Sequence, residues 1–144
     1  MVGRPEPRSR EHYPHFTRIT TRWGDNDAYG HVNNTVYYAW FDSAVNAWLV
    51  GQGLLDIAAG DPIALVVETG CRYFAPLSFP QEVDVGIAVE RIGTSSVTYR
   101  IGVFAAGCEA PAAEGHFTHV AVDRESRRPV PWPAAWRERF AALG

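Results

Sequence analysis

Between Thr35 and Gly51, apolar residues fall at Val36, Tyr37, Trp40, Phe41, Ala44, Val45, Trp48 and Leu49. Spacings of three and four put them on one broad face of an α-helix. A face carrying two tryptophans, a tyrosine and a phenylalanine exposes too much apolar surface to leave in water, so this helix must be buried. Asn33 or Asn34 can cap its start, and Gly51 and Gly53 can end it. Such a helix needs a second layer to cover it.

That layer is written after Pro62, where the period changes from helical to two. Ile63 to Phe74 is a long run rich in strand formers. Val83, Val85, Ile87 and Val89 alternate with Asp84, Gly86, Ala88 and Glu90. Val97, Tyr99, Ile101 and Val103 alternate with Ser96, Thr98, Arg100 and Gly102. The short turn at Ile92 to Ser95 makes these two runs antiparallel neighbours. Gly107 to Pro111 is a further turn, Glu114 to Asp123 a last strand, and Ala134 to Leu143 a short helix after Pro131 and Pro133. Ahead of the long helix, Phe16 to Trp23 reads as a strand and Gly24 to Asn34 as a loop. Gly53 to Pro62 connects helix and sheet, with a helical turn expected at Leu54 to Ala58. One apolar helix against one antiparallel sheet is an α+β layer architecture, with the sheet wrapped around the helix. Residues 1–14 read as a flexible, solvated tail and residues 15–144 as a single domain.

Composition narrows the function classes. A chain of 144 residues, 47% hydrophobic and 20% charged, has the balance of one globular domain rather than a disordered segment. A net charge of -3 argues against a general nucleic-acid or anionic-membrane binder. No apolar run reaches the ~20 residues of a membrane span. The Arg- and Pro-containing start, Met1 to Pro14, has no apolar stretch of the secretory-signal kind. Cys71 and Cys108 cannot form a disulfide framework and read as reduced thiols of a cytoplasmic protein. All 13 basic residues are arginine, so lysine Schiff-base and P-loop chemistry are excluded.

Metal and nucleophile patterns fail on inspection. Asp25-x-Asp27-x-x-Gly30 opens like a calcium loop, but Tyr29 stands at its fifth position and Val36 at its twelfth, where carboxylates are required. His116 and His119 are three apart on an expected strand, so they face opposite sides. Cys71 has no histidine in a nucleophile pattern and reads as a small core residue. No Gly-x-Ser-x-Gly elbow is present. No metal site is expected.

The loop and helix start read Arg22-Trp23-Gly24-Asp25-Asn26-Asp27-Ala28-Tyr29-Gly30-His31-Val32-Asn33-Asn34-Thr35-Val36-Tyr37. This resembles the D-x-D-x-x-G-H-V-N-N-type loop of the 4-hydroxybenzoyl-CoA thioesterase family. Tyr73-Phe74-Ala75-Pro76-Leu77 is similar to that family's strand end before a bulge. Glu90 to Ser96 is similar to its strand–turn–strand, and Arg127 to Pro131 to its ending after the last strand. The likeness runs from about Phe16 to Phe140. It implies a hotdog fold, a curled antiparallel sheet around one long central helix. It implies hydrolysis of an acyl thioester, usually acyl-CoA, by a homodimer or homotetramer with active sites at subunit interfaces. No cofactor is implied beyond the coenzyme A of the substrate. The family's catalytic carboxylate falls on Asp27 and its carbonyl-polarising backbone amide on Asn34.

Those residue types suit the chemistry. Attack on a thioester carbonyl makes its oxygen negative, and that charge needs donors aimed at it. A helix N-terminus supplies unpaired N–H groups and about half a positive charge. Asn34 and Thr35 lie at that point. Asp27, on a loop folded over the helix end, would activate water as a general base or attack as a nucleophile. Gly30 permits a tight turn with positive φ. His31 would orient Asp27 or a water, or only bond the backbone. Tyr29, Gly30 and Thr35 complete the expected substrate contacts. Asp25 reads as structural in the loop, and Tyr37 and Trp40 as core. Arg72, Arg91, Arg124, Arg127 and Arg128 are candidates for the phosphates of coenzyme A. Two other readings stay open: an enoyl-CoA hydratase or dehydratase on the same fold, and a non-catalytic acyl-binding module.

Overall fold

The computed structural model describes residues 6–144. Five strands, β1 (His15–Thr20), β2 (Ile63–Tyr73), β3 (Glu82–Ile92), β4 (Ser96–Ala105) and β5 (Ala113–Val122), form one sheet in the order β1-β3-β4-β5-β2. Every pairing is antiparallel. Helix α1 (Asn34–Gly51) lies in the curl of the sheet, and α2 (Ala134–Ala142) follows β5. This is the expected α+β hotdog arrangement.

The period-two pattern sets which side chains meet the helix. Val83, Val85, Ile87 and Val89 of β3 and Val97, Tyr99, Ile101 and Val103 of β4 all point into one core with Phe41, Ala44, Val45 and Leu49 of α1. A fully buried phenylalanine such as Phe41 contributes about 3 kcal/mol by burial. The C-terminal half of α1 is closed by α2 and the segment before it. Trp48 stacks on Phe140 at 6.1 Å, and Trp132 stacks on Trp136 at 5.2 Å. The opposite end of α1 is left open, and the loop of interest lies there.

Several boundaries differ from the sequence reading. β1 stops at Thr20, and Trp23–Asp25 is a turn of 3-10 helix rather than strand. The turn expected at Leu54 to Ala58 lies slightly later, closed by the Gly60 N–H on the Asp56 carbonyl at 2.8 Å. Register shifts lie inside β2, between Val66 and Glu68, and inside β3, between Val89 and Arg91, and β2 ends at Tyr73.

The larger correction concerns the expected tail. Met1 to Pro5 lie outside the described residues. Residues 8–13 are packed on the outer face of the sheet. Arg10–His12 forms a short 3-10 turn, and Tyr13 is buried against Phe16 and Phe104. The sheet makes room with glycines: a Cβ at Gly86 or Gly102 would come within 2.8 or 2.7 Å of Tyr13 atoms. Arg10 lies 4.9 Å from the Phe104 ring centroid and pairs with Asp84 at 3.0 Å, while the Arg8 N–H donates to Glu114. Burial pushes the Asp84 carboxyl up, but Arg18 and Arg10 outweigh it and hold it below the usual range.

Candidate active site

The loop between β1 and α1 is built by backbone hydrogen bonds. Asp25 is 1% exposed, and its carboxylate accepts the Arg22 N–H at 2.7 Å and the Arg22 guanidinium at 2.9 Å. Its carbonyl accepts the Asn33 N–H at 2.8 Å. Asp25 is therefore structural, as expected, because both ends of the loop close on it. Within that frame the Asp27 N–H donates to the His31 carbonyl at 2.8 Å, and the Gly30 N–H donates to the Asp27 carbonyl at 3.1 Å. Gly30 has φ +82°, the left-handed conformation the tight turn requires. The connection from β2 to β3 holds the loop from outside. The Val32 N–H donates to the Leu77 carbonyl at 2.7 Å, and the Ser78 hydroxyl to the Gly30 carbonyl at 2.8 Å.

The chain then turns into the helix. Asn33 is the cap, and its side-chain oxygen accepts the Thr35 N–H at 3.0 Å and the Thr35 hydroxyl at 2.8 Å. Asn34 is the first helical residue and is exposed. Among the described residues, no acceptor is bonded to its N–H.

Asp27, His31 and Asn34 line one hollow of about 360 Å³, with Tyr37, Tyr73 and Phe74 on its aromatic walls. The three residues expected to carry chemistry are thus brought together. The expected substrate contacts are arranged differently. Tyr29 is 88% exposed, Gly30 lines a neighbouring hollow that shares Asp27, and the Thr35 hydroxyl is engaged by the cap. His31 contributes its carbonyl to the loop, while its side chain is exposed beside Asp27.

Tyr37 is core, as its helical spacing suggests, but its ring also forms the inner wall of the hollow. Sequence reasoning missed Tyr73 and Phe74 as wall residues. The available signal was the aromatic pair at the end of a strand just before Pro76. Burial, with Cys71 nearby, raises the Tyr37 phenol to about 12. Burial likewise raises the Tyr73 phenol, and it raises the Cys71 thiol to about 11. All three are protonated near neutral pH.

None of the five candidate phosphate arginines lines this hollow. Arg124 donates to the carbonyls of Ile57, Ala58 and Gly60, so it staples the α1–β2 connection to the end of β5. Arg72 lies 3.7 Å from the buried Glu114 on the outer face of the sheet. His116, 3.0 Å from Glu68, also faces outward, while His119 is in the core, so the two histidines face opposite sides as expected. Among the described residues no cluster suited to a metal ion occurs, and no helix is long and apolar enough to cross a membrane.

A curled sheet around one helix, with a carboxylate loop folded over the open helix N-terminus, defines a hotdog-fold protein. The chain belongs to the thioesterase-like superfamily, whose family model matches residues 21–140, and is by class a thioester hydrolase. Among solved structures it is similar to the PA5185 protein of Pseudomonas aeruginosa strain PAO1, with 52% identity, 96% of each chain covered and a TM-score of 0.92. It is also similar to the PA2801 protein of Pseudomonas aeruginosa, described as a candidate thioesterase, at 31% identity over 89% of this chain and 98% of that one, TM-score 0.83. A 1,4-dihydroxy-2-naphthoyl-CoA thioesterase from Synechocystis, at 19% identity over 89% of this chain and 96% of that one, has the same fold with a TM-score of 0.79.

Proposed function

We propose that this protein hydrolyses acyl-CoA thioesters to the free acid and coenzyme A. The observation that carries the reading is the single hollow lined by both Asp27 and Asn34, the first residue of the helix. A thioester carbonyl placed there would direct its oxygen to the Asn34 N–H, where the helix dipole favours developing negative charge. Asp27 takes a proton from water as it attacks the carbonyl carbon. The tetrahedral intermediate then collapses, the C–S bond breaks, and the departing thiolate takes up a proton. In the nucleophilic version Asp27 attacks the carbon itself, expels the thiolate and forms a mixed anhydride that water then hydrolyses. His31 stands at the rim, able to orient the water. Tyr29, Gly30 and Thr35 then contact the substrate outside the reacting centre. Neither route calls on a metal or an organic cofactor.

The working unit is a homodimer or larger homo-oligomer. β2 is an edge strand, and Leu65, Val66, Val67, Tyr73 and Phe74 are exposed along it and at its end. An unpaired edge carrying such residues is a template for a second copy, and Tyr73 and Phe74 would bring that copy to the rim of the hollow. Two free thiols, Cys71 and Cys108, fit a reducing compartment such as the cytoplasm.

The test is thiol release from short, aromatic and long acyl-CoAs by wild type and Asp27→Asn. The expected result is turnover by wild type and a loss of roughly 10²-fold or more in the variant. Absence of thiol release across the panel would overturn the reading, and water addition to an enoyl-CoA would replace it with a hydratase. Incorporation of ¹⁸O from labelled water into Asp27 during single turnover would mark an anhydride hydrolysed at the aspartyl carbon, which the general-base route does not produce.

A further inference from the structure

Tyr73 occupies a place that the reaction scheme above does not use. It is the last residue of β2, paired with Ala113, and its side chain reaches across to the start of α1. Its hydroxyl donates to the Asn34 carbonyl at 2.9 Å. Its ring meets the buried Tyr37 ring edge-on, with centroids 4.9 Å apart and an interplanar angle of 88°. The strand end that carries it is itself held, because the Phe74 and Ala75 N–H groups both donate to the Ala112 carbonyl, at 2.8 and 3.1 Å.

We propose that Tyr73 is a positioning residue for the Asn34 amide. The inference rests on the reading of the site given under Proposed function. The loop ahead of the helix is tied through Asp25, Asp27 and Val32, but all of those bonds precede the helix. Among the described residues, the Tyr73 hydroxyl makes the side-chain hydrogen bond that joins the first helical residue to the sheet. A donor must sit about 2.7–3.1 Å from the position the oxyanion will occupy, and misplacement by ~1 Å can cost ~10²-fold. The first turn of a helix is where fraying begins. A phenol anchored on a strand end and packed edge-on against a buried ring removes that freedom at the residue whose N–H would do the work. Burial favours the protonated phenol, so the hydroxyl stays a donor across the working pH range.

The bond also joins the site to β2, the free edge of the sheet. Any second copy that pairs along β2 therefore acts on the strand that holds Asn34 in place.

Tyr73→Phe tests this, since it keeps the ring contact with Tyr37 and removes only the hydroxyl. The expected result is a fall in kcat of about 10-fold with KM changed less than about 2-fold. The carbonyl ¹³C resonance of Asn34 should shift, because that oxygen loses a hydrogen bond, while the thermal midpoint stays close to wild type. Tyr73→Ala, which also removes the wall of the hollow, should raise KM in addition. Wild-type kcat in Tyr73→Phe, or an unmoved Asn34 carbonyl resonance, would overturn the inference. If wild type itself releases no thiol from any acyl-CoA, the reading of the site fails, and the Asn34 resonance still decides whether Tyr73 holds that residue.

Discussion

The Tyr29 N–H donates to Asp27 Oδ1 at 2.8 Å, so one oxygen of the candidate base helps to close the turn that carries it. Among the described residues, the other oxygen accepts no hydrogen bond. This division predicts that structure and chemistry separate on substitution. Asp27→Asn keeps an oxygen for the Tyr29 N–H and should change unfolding free energy by less than about 0.5 kcal/mol. Asp27→Ala removes the acceptor and should cost about 1 kcal/mol. Both should lose thioester hydrolysis. Urea unfolding of the two variants, set beside their rates, checks the expectation. A larger stability loss in Asp27→Asn than in Asp27→Ala would contradict it.

Gly30 offers a test of the loop's backbone alone. Its φ is +82°, yet a Cβ there would meet nothing within 4 Å. The cost of a side chain is therefore conformational rather than steric. Gly30→Ala should lose about 1 kcal/mol, and Gly30→Asn less, because asparagine tolerates the left-handed region better. Hydrolysis should fall in the same order as the turn relaxes and Asp27 moves with it. Equal stability of the alanine and asparagine variants would show that the turn does not depend on positive φ.

The parts of this fold legible in the sequence are those written as local periods. The stripe from Val36 to Leu49 and the alternation in Val83–Val89 and Val97–Val103 each place a core face without knowledge of any partner. Asp25 and Asp27 take different parts in the sequence reading because their loop resembles that of the 4-hydroxybenzoyl-CoA thioesterase family, not because of its length or spacing. What was illegible depends on contacts between distant parts of the chain. Tyr13 is buried because Gly86 and Gly102, far along the sequence, leave a place for its ring. Nothing near Tyr13 announces that. Tyr73 and Asn34 meet because the sheet curls, and no spacing in the chain predicts a bond across 39 residues.

The docking of Tyr13 predicts a large loss for one substitution and none for another. The ring packs on Phe16 and Phe104, so Tyr13→Ala should cost about 3 kcal/mol. Its hydroxyl is buried near the Arg100 guanidinium but makes no hydrogen bond of good geometry among the described residues. Tyr13→Phe removes that unsatisfied group and should leave stability unchanged or higher. Chemical unfolding of both variants decides this. Hydrolysis by the folded protein should be unchanged in either, because Tyr13 lies on the face of the sheet away from α1.

The burial of His119 predicts a loss of stability on mild acidification. Its ring is 1% exposed and packs edge-on against Phe117 at 4.8 Å and Tyr99 at 6.0 Å, and its Nδ1 has no partner among the described residues. Burial in this aromatic setting lowers its pKa from 6.5 to about 4. The folded value lies below the unfolded one, so between these two values the unfolded chain binds a proton that the folded chain does not. Its contribution is fully present above pH 6.5 and is lost as pH falls toward 4, a change of about 3 kcal/mol. Asp84, held below its ordinary range by Arg18 and Arg10 against the opposing effect of burial, adds its own loss only at lower pH. The two windows can therefore be told apart. Urea unfolding at intervals from pH 7 to pH 3 should show the decline, and His119→Phe should flatten it above pH 4 while leaving the loss below pH 4 in place. A His119→Phe variant with the wild-type slope between pH 6.5 and 4 would mean that another group carries the acid sensitivity.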